Sequence, residues 1–286
     1  MNNTGLKEQI QVDLNIGDQL TTISCGHIVN EMIKFIAYQR LQIPYTYQWL
    51  KQLVNKRKDS EGKIKESLQS ERHFHVASTA LSNLDFILKG LSKEIQGANL
   101  PEEICIVLGA TPVTCKEMYR LLLPEVCHKP QCQSEHIAND QKIQKNVFRL
   151  LATSEQLGKV FFESLAPTNM YIFIKKKVLN NQEVVCGEDF IFLRGYRIPN
   201  KCKVINIDFK SKGNVKVTCC NDFDVFCDIS EALDQMNITN DKNSIENCEI
   251  ESTDDSKWFQ SSYVMKGFKD CFVNGSSVTN SWKQMK

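Results

Sequence analysis

No stretch of this chain approaches the roughly 20 consecutive apolar residues that a membrane-spanning helix requires. Its opening residues, Met1-Asn2-Asn3-Thr4-Gly5, show no positive segment followed by an apolar one, so no secretory signal is visible. Charge of one sign is also missing, since 35 basic and 34 acidic side chains leave a formal net charge of +1. Such a chain has no overall field to draw in nucleic acid or an anionic membrane, and either would need a local patch. Catalytic signatures are absent too: there is no Walker A loop, G-x-G-x-x-G, G-x-S-x-G or H-E-x-x-H. No fixed-period repeat appears. The expectation is a soluble intracellular protein that is not an enzyme, needs no cofactor and binds neither nucleic acid nor membrane.

What is present is ordinary in bulk. The 286 residues suit one large domain or two small ones, and 42% hydrophobic with 24% charged residues is a globular composition. Twelve cysteines are scattered along the chain without secretory context, which favours reduced thiols. Cys25, Cys105 and Cys186 sit in apolar or strand-like surroundings, where a thiol serves as a small hydrophobe. Cys115, Cys127, His128, Cys132 and His136 are the right types for tetrahedral zinc. Their gaps match no common finger and include no C-x2-C pair, so no metal is assigned. A zinc- or thiol-dependent protein centred on residues 115–136 stays open as an alternative. The basic run 56–65 alternates with Asp59, Glu61 and Glu66 and lacks interleaved aromatics for base stacking. Glu188 and Asp189 are adjacent, so on a strand they would point to opposite faces and are poorly placed to share a substrate atom; a turn or strand entry is expected there.

The pattern along the chain runs helices first, strands later. Residues 1–20 are polar and expected to be loose. A helix over 23–42 carries Ile28, Met32, Phe35 and Ile36 on one stripe and is ended by Pro44. A short helical turn is expected over 47–54, then an exposed charged loop over 56–63. A second helix over 70–96 aligns Val76, Leu81, Leu84, Leu88, Leu91 and Ile95, with Gly97 just past it as a left-handed cap. Residues 104–108 read as a buried strand, 118–123 as a brief helical piece, and 140–157 as a third helix with Ile143, Val147, Leu150 and Leu151 inward. Strands are predicted at 170–174, 184–192, 204–209, 215–219 and 225–229. A polar excursion at 233–257 and a tail at 270–286 complete the chain. The fold class is α+β, three helices packed on a mostly antiparallel β-sheet.

Several aromatic and polar residues are interface types. Tyr38 and Arg40 bracket Gln39 at the end of the first helix, where they either cap the core or meet a partner. Phe148 has the same two possible roles, and so do Trp258 and Phe259.

Six short islands carry a resemblance: Ala37-Tyr38-Gln39-Arg40, Leu50-Lys51, Cys186-Gly187-Glu188-Asp189, Tyr196-Arg197-Ile198-Pro199, Trp258-Phe259-Gln260 and Lys266-Gly267-Phe268. Together they resemble the comet family, adaptors of HORMA-like fold that bind the spindle-checkpoint protein Mad-two. The resemblance implies a HORMA-like domain over 21–269, with Trp258, Phe259, Gln260, Lys266, Gly267 and Phe268 in a safety-belt-like strap. It implies that Gln39 and Phe148, with Tyr38 and Arg40 beside them, contact the closed conformer of Mad-two. It also implies presentation of that conformer to a hexameric AAA+ ATPase, conversion to the open form and silencing of the mitotic checkpoint. The expected location is nucleus and cytoplasm, at spindle and kinetochore in mitosis. The family's ATPase contact maps to Phe192-Leu193-Arg194-Gly195. That loop is one residue shorter here and lacks a proline-lysine pair, leaving Arg194 as the basic contact. The alternative within this resemblance is a module that captures a client peptide beneath its strap.

Overall fold

The computed structural model describes residues 9–16, 20–59, 67–97, 99–124, 133–178, 186–210 and 256–284, with backbone alone for 133–141 and Gln284. In chain order these residues form β1 (Gln9–Asn15), α1 (Thr22–Gln39), α2 (Tyr47–Asp59), α3 (Leu68–Gln96), β2 (Glu103–Gly109), β3 (Cys115–Leu122), α4 (Gln133–Thr153), α5 (Glu155–Phe162), β4 (Asn169–Lys177), β5 (Phe190–Leu193), β6 (Lys203–Lys210), β7 (Ser256–Ser261), β8 (Met265–Lys266), β9 (Phe272–Val273), β10 (Ser276–Ser277) and α6 (Thr279–Gln284). The main sheet runs β1-β6-β3-β2-β4-β7-β5, with β8 also on β4. β6 pairs in parallel with β1 and β3, and every other pairing in this sheet is antiparallel. The protein is α+β, as expected.

Alternation along the strands explains the layers. Ile104, Ile106 and Leu108 of β2 and Met170, Ile172 and Ile174 of β4 join the core shared with α1, α3 and α4. Cys105 and Val107, with Tyr171 and Phe173, form a second apolar cluster on the other face, beside Cys115, Met118 and Cys202. Central strands with both faces covered read as unbroken apolar runs. That second face is covered by the segment after β5, whose Tyr196 stacks on Phe173 at 4.7 Å and meets Trp258 edge-on at 5.4 Å.

Several expectations are corrected. Residues 1–20 are not wholly loose: β1 lies within them, held by β6. Residues 118–123 belong to a strand, not a helix, because β3 alternates buried positions between two covered faces and pairs along β2. The 140–157 helix is two helices. Ser154 breaks it by accepting the Leu157 N–H in its side chain, capping α5. The described residues thus hold six helices rather than three, and α2 extends through much of the expected 56–63 loop. Val76 is 44% exposed, the inward place on α3 being taken by Ala77 and Ala80. Gly97 caps α3 in extended, not left-handed, geometry. Residues 186–189 form a turn before a shorter β5, and 256–257 of the supposed polar excursion already belong to β7. The predicted strands at 215–219 and 225–229 lie outside the described residues.

Residues 270–284 of the expected tail are folded onto the domain. α6 packs against α2, and its Trp282 is fully buried against α3. Its ring stacks on His73 at 5.5 Å, meets Phe74 edge-on at 5.7 Å, and its indole N–H donates to Ser70 Oγ at 3.1 Å. Phe268 closes on the His73 ring at 5.8 Å. Burial pushes the His73 imidazole below its ordinary value, while the Asp270 carboxylate pulls the other way. A depressed folded-state pKa gives stability that is complete above about pH 6.5, the unfolded value, and is lost as pH falls through the folded value. Thermal midpoints measured below about pH 6.5 should therefore fall more steeply in the wild type than in His73→Gln. Parallel slopes would show that His73 does not titrate between the two states.

Candidate protein-binding face

α1 begins with a capping box: Ser24 N–H donates to Thr21 Oγ1 at 3.0 Å, and Thr21 N–H to Ser24 Oγ at 2.8 Å. Its other end matters more. Tyr38, Gln39, Arg40, Leu41 and Gln42 alternate sharply in environment. Tyr38 is 39% exposed and Gln39 half-buried, whereas Arg40 and Gln42 are 2% and 0% exposed.

Arg40 is the clearest correction at residue level. Its Nε donates to Glu117 Oε2 at 2.9 Å and Nη2 to Glu117 Oε1 at 2.5 Å. Its Nη1 donates to the carbonyls of Val160 at 3.0 Å and Glu163 at 2.6 Å, which α5 leaves unsatisfied at its C-terminal end. The residue joins α1, β3 and α5 and offers nothing to a partner. Gln42 is a second internal hub. Its Nε2 donates to the Arg40 carbonyl at 2.6 Å, its Oε1 accepts the Thr168 N–H at 2.7 Å, and its carbonyl accepts the Phe268 N–H at 2.9 Å.

The outward residues gather aromatic neighbours. Phe148 of α4 is half-buried and meets Phe35 edge-on at 6.1 Å. Phe35 lies one turn before Gln39 on α1, so the two share a stripe. Phe148, Phe35 and Tyr38 line a shallow cavity of about 180 Å³ with Tyr47 and Gln48 from the start of α2. Lys34 and Lys51 sit 4.5 and 5.7 Å from the Tyr47 ring centre, edging this face with positive charge. The fold thus brings Tyr38 and Phe148 to one cavity, while Gln39 is not among the residues that line it. Tyr47 was not singled out in the sequence, because its place follows from how α2 docks rather than from any pattern.

The strap residues are part of the sheet. β7 lies between β4 and β5, with Trp258 opposite Lys175 and Leu193, and Phe259 opposite Ile174 and Phe192. Phe259 is 4% exposed and Trp258 half-buried, which settles the core role for this pair. Gln260 is half-buried and Lys266 exposed, while Phe268 is buried. A Cβ at Gly267 would come within 2.6 Å of the Thr168 carbonyl and 2.8 Å of Gln42 Oε1, so the strap's return requires glycine. The chain's own strands occupy both positions beside β4, leaving no slot there for a client peptide. The Gly187-Glu188-Asp189 turn is a clamp rather than a site: Gly187 N–H donates to Glu94 Oε1 at 2.8 Å, and Glu94 also pairs with Lys176 at 2.6 Å. Arg194 lies in the exposed turn after β5, beside Gly195 at φ 70°.

Cys115 is buried in the second apolar cluster, whereas Cys127, His128 and Cys132, and the side chain of His136, lie outside the described residues. Among the described residues, no three His, Cys, Asp or Glu side chains group as metal ligands. Burial pushes the Cys25 and Cys186 thiols up to about 12, which keeps them unreactive at neutral pH. No described helix is long and apolar enough to cross a membrane.

Comparison with known proteins gives this face its context. The profile of the p31comet family, described as Mad1 and Cdc20-bound-Mad2 binding, matches residues 12–229. The chain belongs to that family. The MAD2L1-binding protein of Mus musculus is 26% identical over 180 residues, covering 62% of this chain and 61% of the mouse protein. The Homo sapiens MAD2L1-binding protein is 24% identical over 204 residues, 70% of each chain. This chain therefore spans about three fifths of the mouse relative's length. Both p31comet relatives are named for binding a protein, not for a reaction. The matched region contains α1 to β6, and so every residue of the Tyr38–Phe148 face.

Proposed function

We propose that this p31comet-family chain is an adaptor that recognises the closed conformer of Mad2 (Mad-two) through the Tyr38, Gln39 and Phe148 face. On this reading it presents that conformer to a hexameric AAA+ ATPase for conversion to the open form, silencing the checkpoint at the spindle and kinetochore, with nuclear and cytoplasmic pools. The observation that carries the reading is the edge-on contact of Phe148 with Phe35. It joins two distant segments into one partly exposed aromatic face, and Gln39 follows Phe35 by one helical turn. A HORMA-like scaffold is supported by the helices on one face of the sheet and by the C-terminal strands laid beside β4. Arg194, in its exposed turn, is the basic residue available to the ATPase.

The mechanism needs no nucleophile. A binding protein marks one state of a two-state partner only by its difference in affinity for the two, and the ATPase supplies the work. A few anchors should carry most of that difference; truncating Phe148 should cost on the order of 2 kcal/mol. Gln39→Ala with Phe148→Ala is expected to abolish capture of closed-locked Mad2 in a pulldown, with open-locked Mad2 weak throughout. Because both side chains are only half-buried, the thermal midpoint should stay close to wild type. A folded double variant that still captures closed Mad2 would overturn the assignment.

A further inference from the structure

One apolar concavity lies just past the end of α1. The connections 41–44, 164–167 and 268–270 meet there around a cavity of about 380 Å³, walled by Leu41, Pro44, Leu165, Ala166, Pro167 and Phe268 among others. Backbone groups adjoining these walls are already spent on one another. Gln42 receives the N–H groups of Thr168 and Phe268, and Gly267 N–H donates to the Thr168 carbonyl at 2.8 Å. The surface offered inward is mainly methyl, methylene and ring, a preformed site for an apolar group.

Leu41 rims this cavity in an unusual state. Its φ is 54°, a left-handed conformation that disfavours a bulky side chain, yet the side chain is 56% exposed. The flanking Arg40 and Gln42 are locked in their internal bonds, and Leu41 N–H donates to the Tyr38 carbonyl at 3.0 Å. Held strain on an exposed hydrophobe calls for a use outside the fold. Phe162, two residues before the wall formed by 164–167, is 93% exposed.

We propose that this cavity is a second anchor point of the docking face, taking an apolar side chain of closed Mad2. The proposal rests on the reading above and extends it. A stable interface covers about 800 Å² on each partner, a patch roughly 16 Å in radius. Leu41 follows the end of α1, and its N–H bond to the Tyr38 carbonyl keeps the two residues adjacent. A partner centred on Tyr38, Gln39 and Phe148 therefore covers Leu41, and a rigid pocket at that point costs little ordering to fill.

Two variants test it. Leu41→Asn suits the left-handed backbone while removing the apolar rim, and Ala166→Phe fills the cavity from an exposed position. Each is expected to weaken binding of closed-locked Mad2 about tenfold in titration calorimetry, with the thermal midpoint unchanged. If both bind within twofold of wild type while Gln39→Ala with Phe148→Ala does not bind, the cavity is no anchor and the parent reading survives. Wild type that fails to bind closed Mad2 overturns both. Self-association by sedimentation that Leu41→Asn abolishes, with Mad2 binding intact, assigns the cavity to a second copy of this chain and overturns the proposal.

Discussion

Replacing Arg40 with methionine is expected to lower folding stability by about 3–5 kcal/mol, the cost of leaving one partner of a buried ion pair alone. The loss has two sources. Glu117, 5% exposed, would keep only the Tyr119 hydroxyl, which donates to its Oε2 at 2.8 Å. The carbonyls of Val160 and Glu163 at the end of α5 would lose their charged donor. Lysine should not rescue the site, because a point charge cannot reach both the carboxylate and a helix end as a planar fork does. Adding Glu117→Gln to Arg40→Met should recover part of the loss by removing the stranded charge. Urea unfolding of the two single variants and the double measures the coupling. A single-variant loss below about 1 kcal/mol would mean that water reaches Glu117 and the pair is not the joint described. Any binding defect of Arg40 variants should accordingly follow their stability, unlike that of Gln39 or Phe148 variants.

The second large effect is at the far end of the chain. Trp282→Ala should cost about 3–5 kcal/mol, the range for removing a large buried ring and leaving a cavity. α6 has only six residues, too few to persist without tertiary contacts. Other ties are slighter: Tyr45 Oη to Thr279 Oγ1 at 2.8 Å, and Lys56 Nζ donating to the Lys283 carbonyl at 3.2 Å. The variant should therefore lose protection against proteolysis after residue 270 as well as global stability. Trp282→Phe keeps an apolar ring against His73 but forfeits the bond to Ser70, and should cost roughly 1 kcal/mol for that bond before any cavity cost. An alanine variant as resistant as wild type would show that the ring is not what holds the segment.

Much of the architecture was legible because periodicity reports burial. The stripes of α1 and α3 and the apolar runs of β2, β4 and β6 needed nothing beyond local pattern. The errors came where tertiary context outweighed it. β3 reads as a helical fragment because Glu117 and Arg120 interrupt the alternation of its apolar residues, and β1 reads as loose because its partner is near residue 205. The site was legible only in part. The island around Tyr38 falls on the last turn of α1, but sequence cannot tell which of its neighbours face outward. Arg40, expected at the surface, is internal; Gln42, passed over, is a hub. The Gly187 turn, Tyr196 and Gly267 likewise serve internal joints.

β6 has a consequence for the order of assembly. It is the sole bridge in the described sheet between β1 and the remaining strands, and both of its contacts are parallel. The hairpin of β2 and β3 can form from close neighbours in the chain, but β1 must wait for a segment almost two hundred positions away. The first described strand is thus among the last to find its place, and a chain halted before residue 203 would leave it without a strand partner.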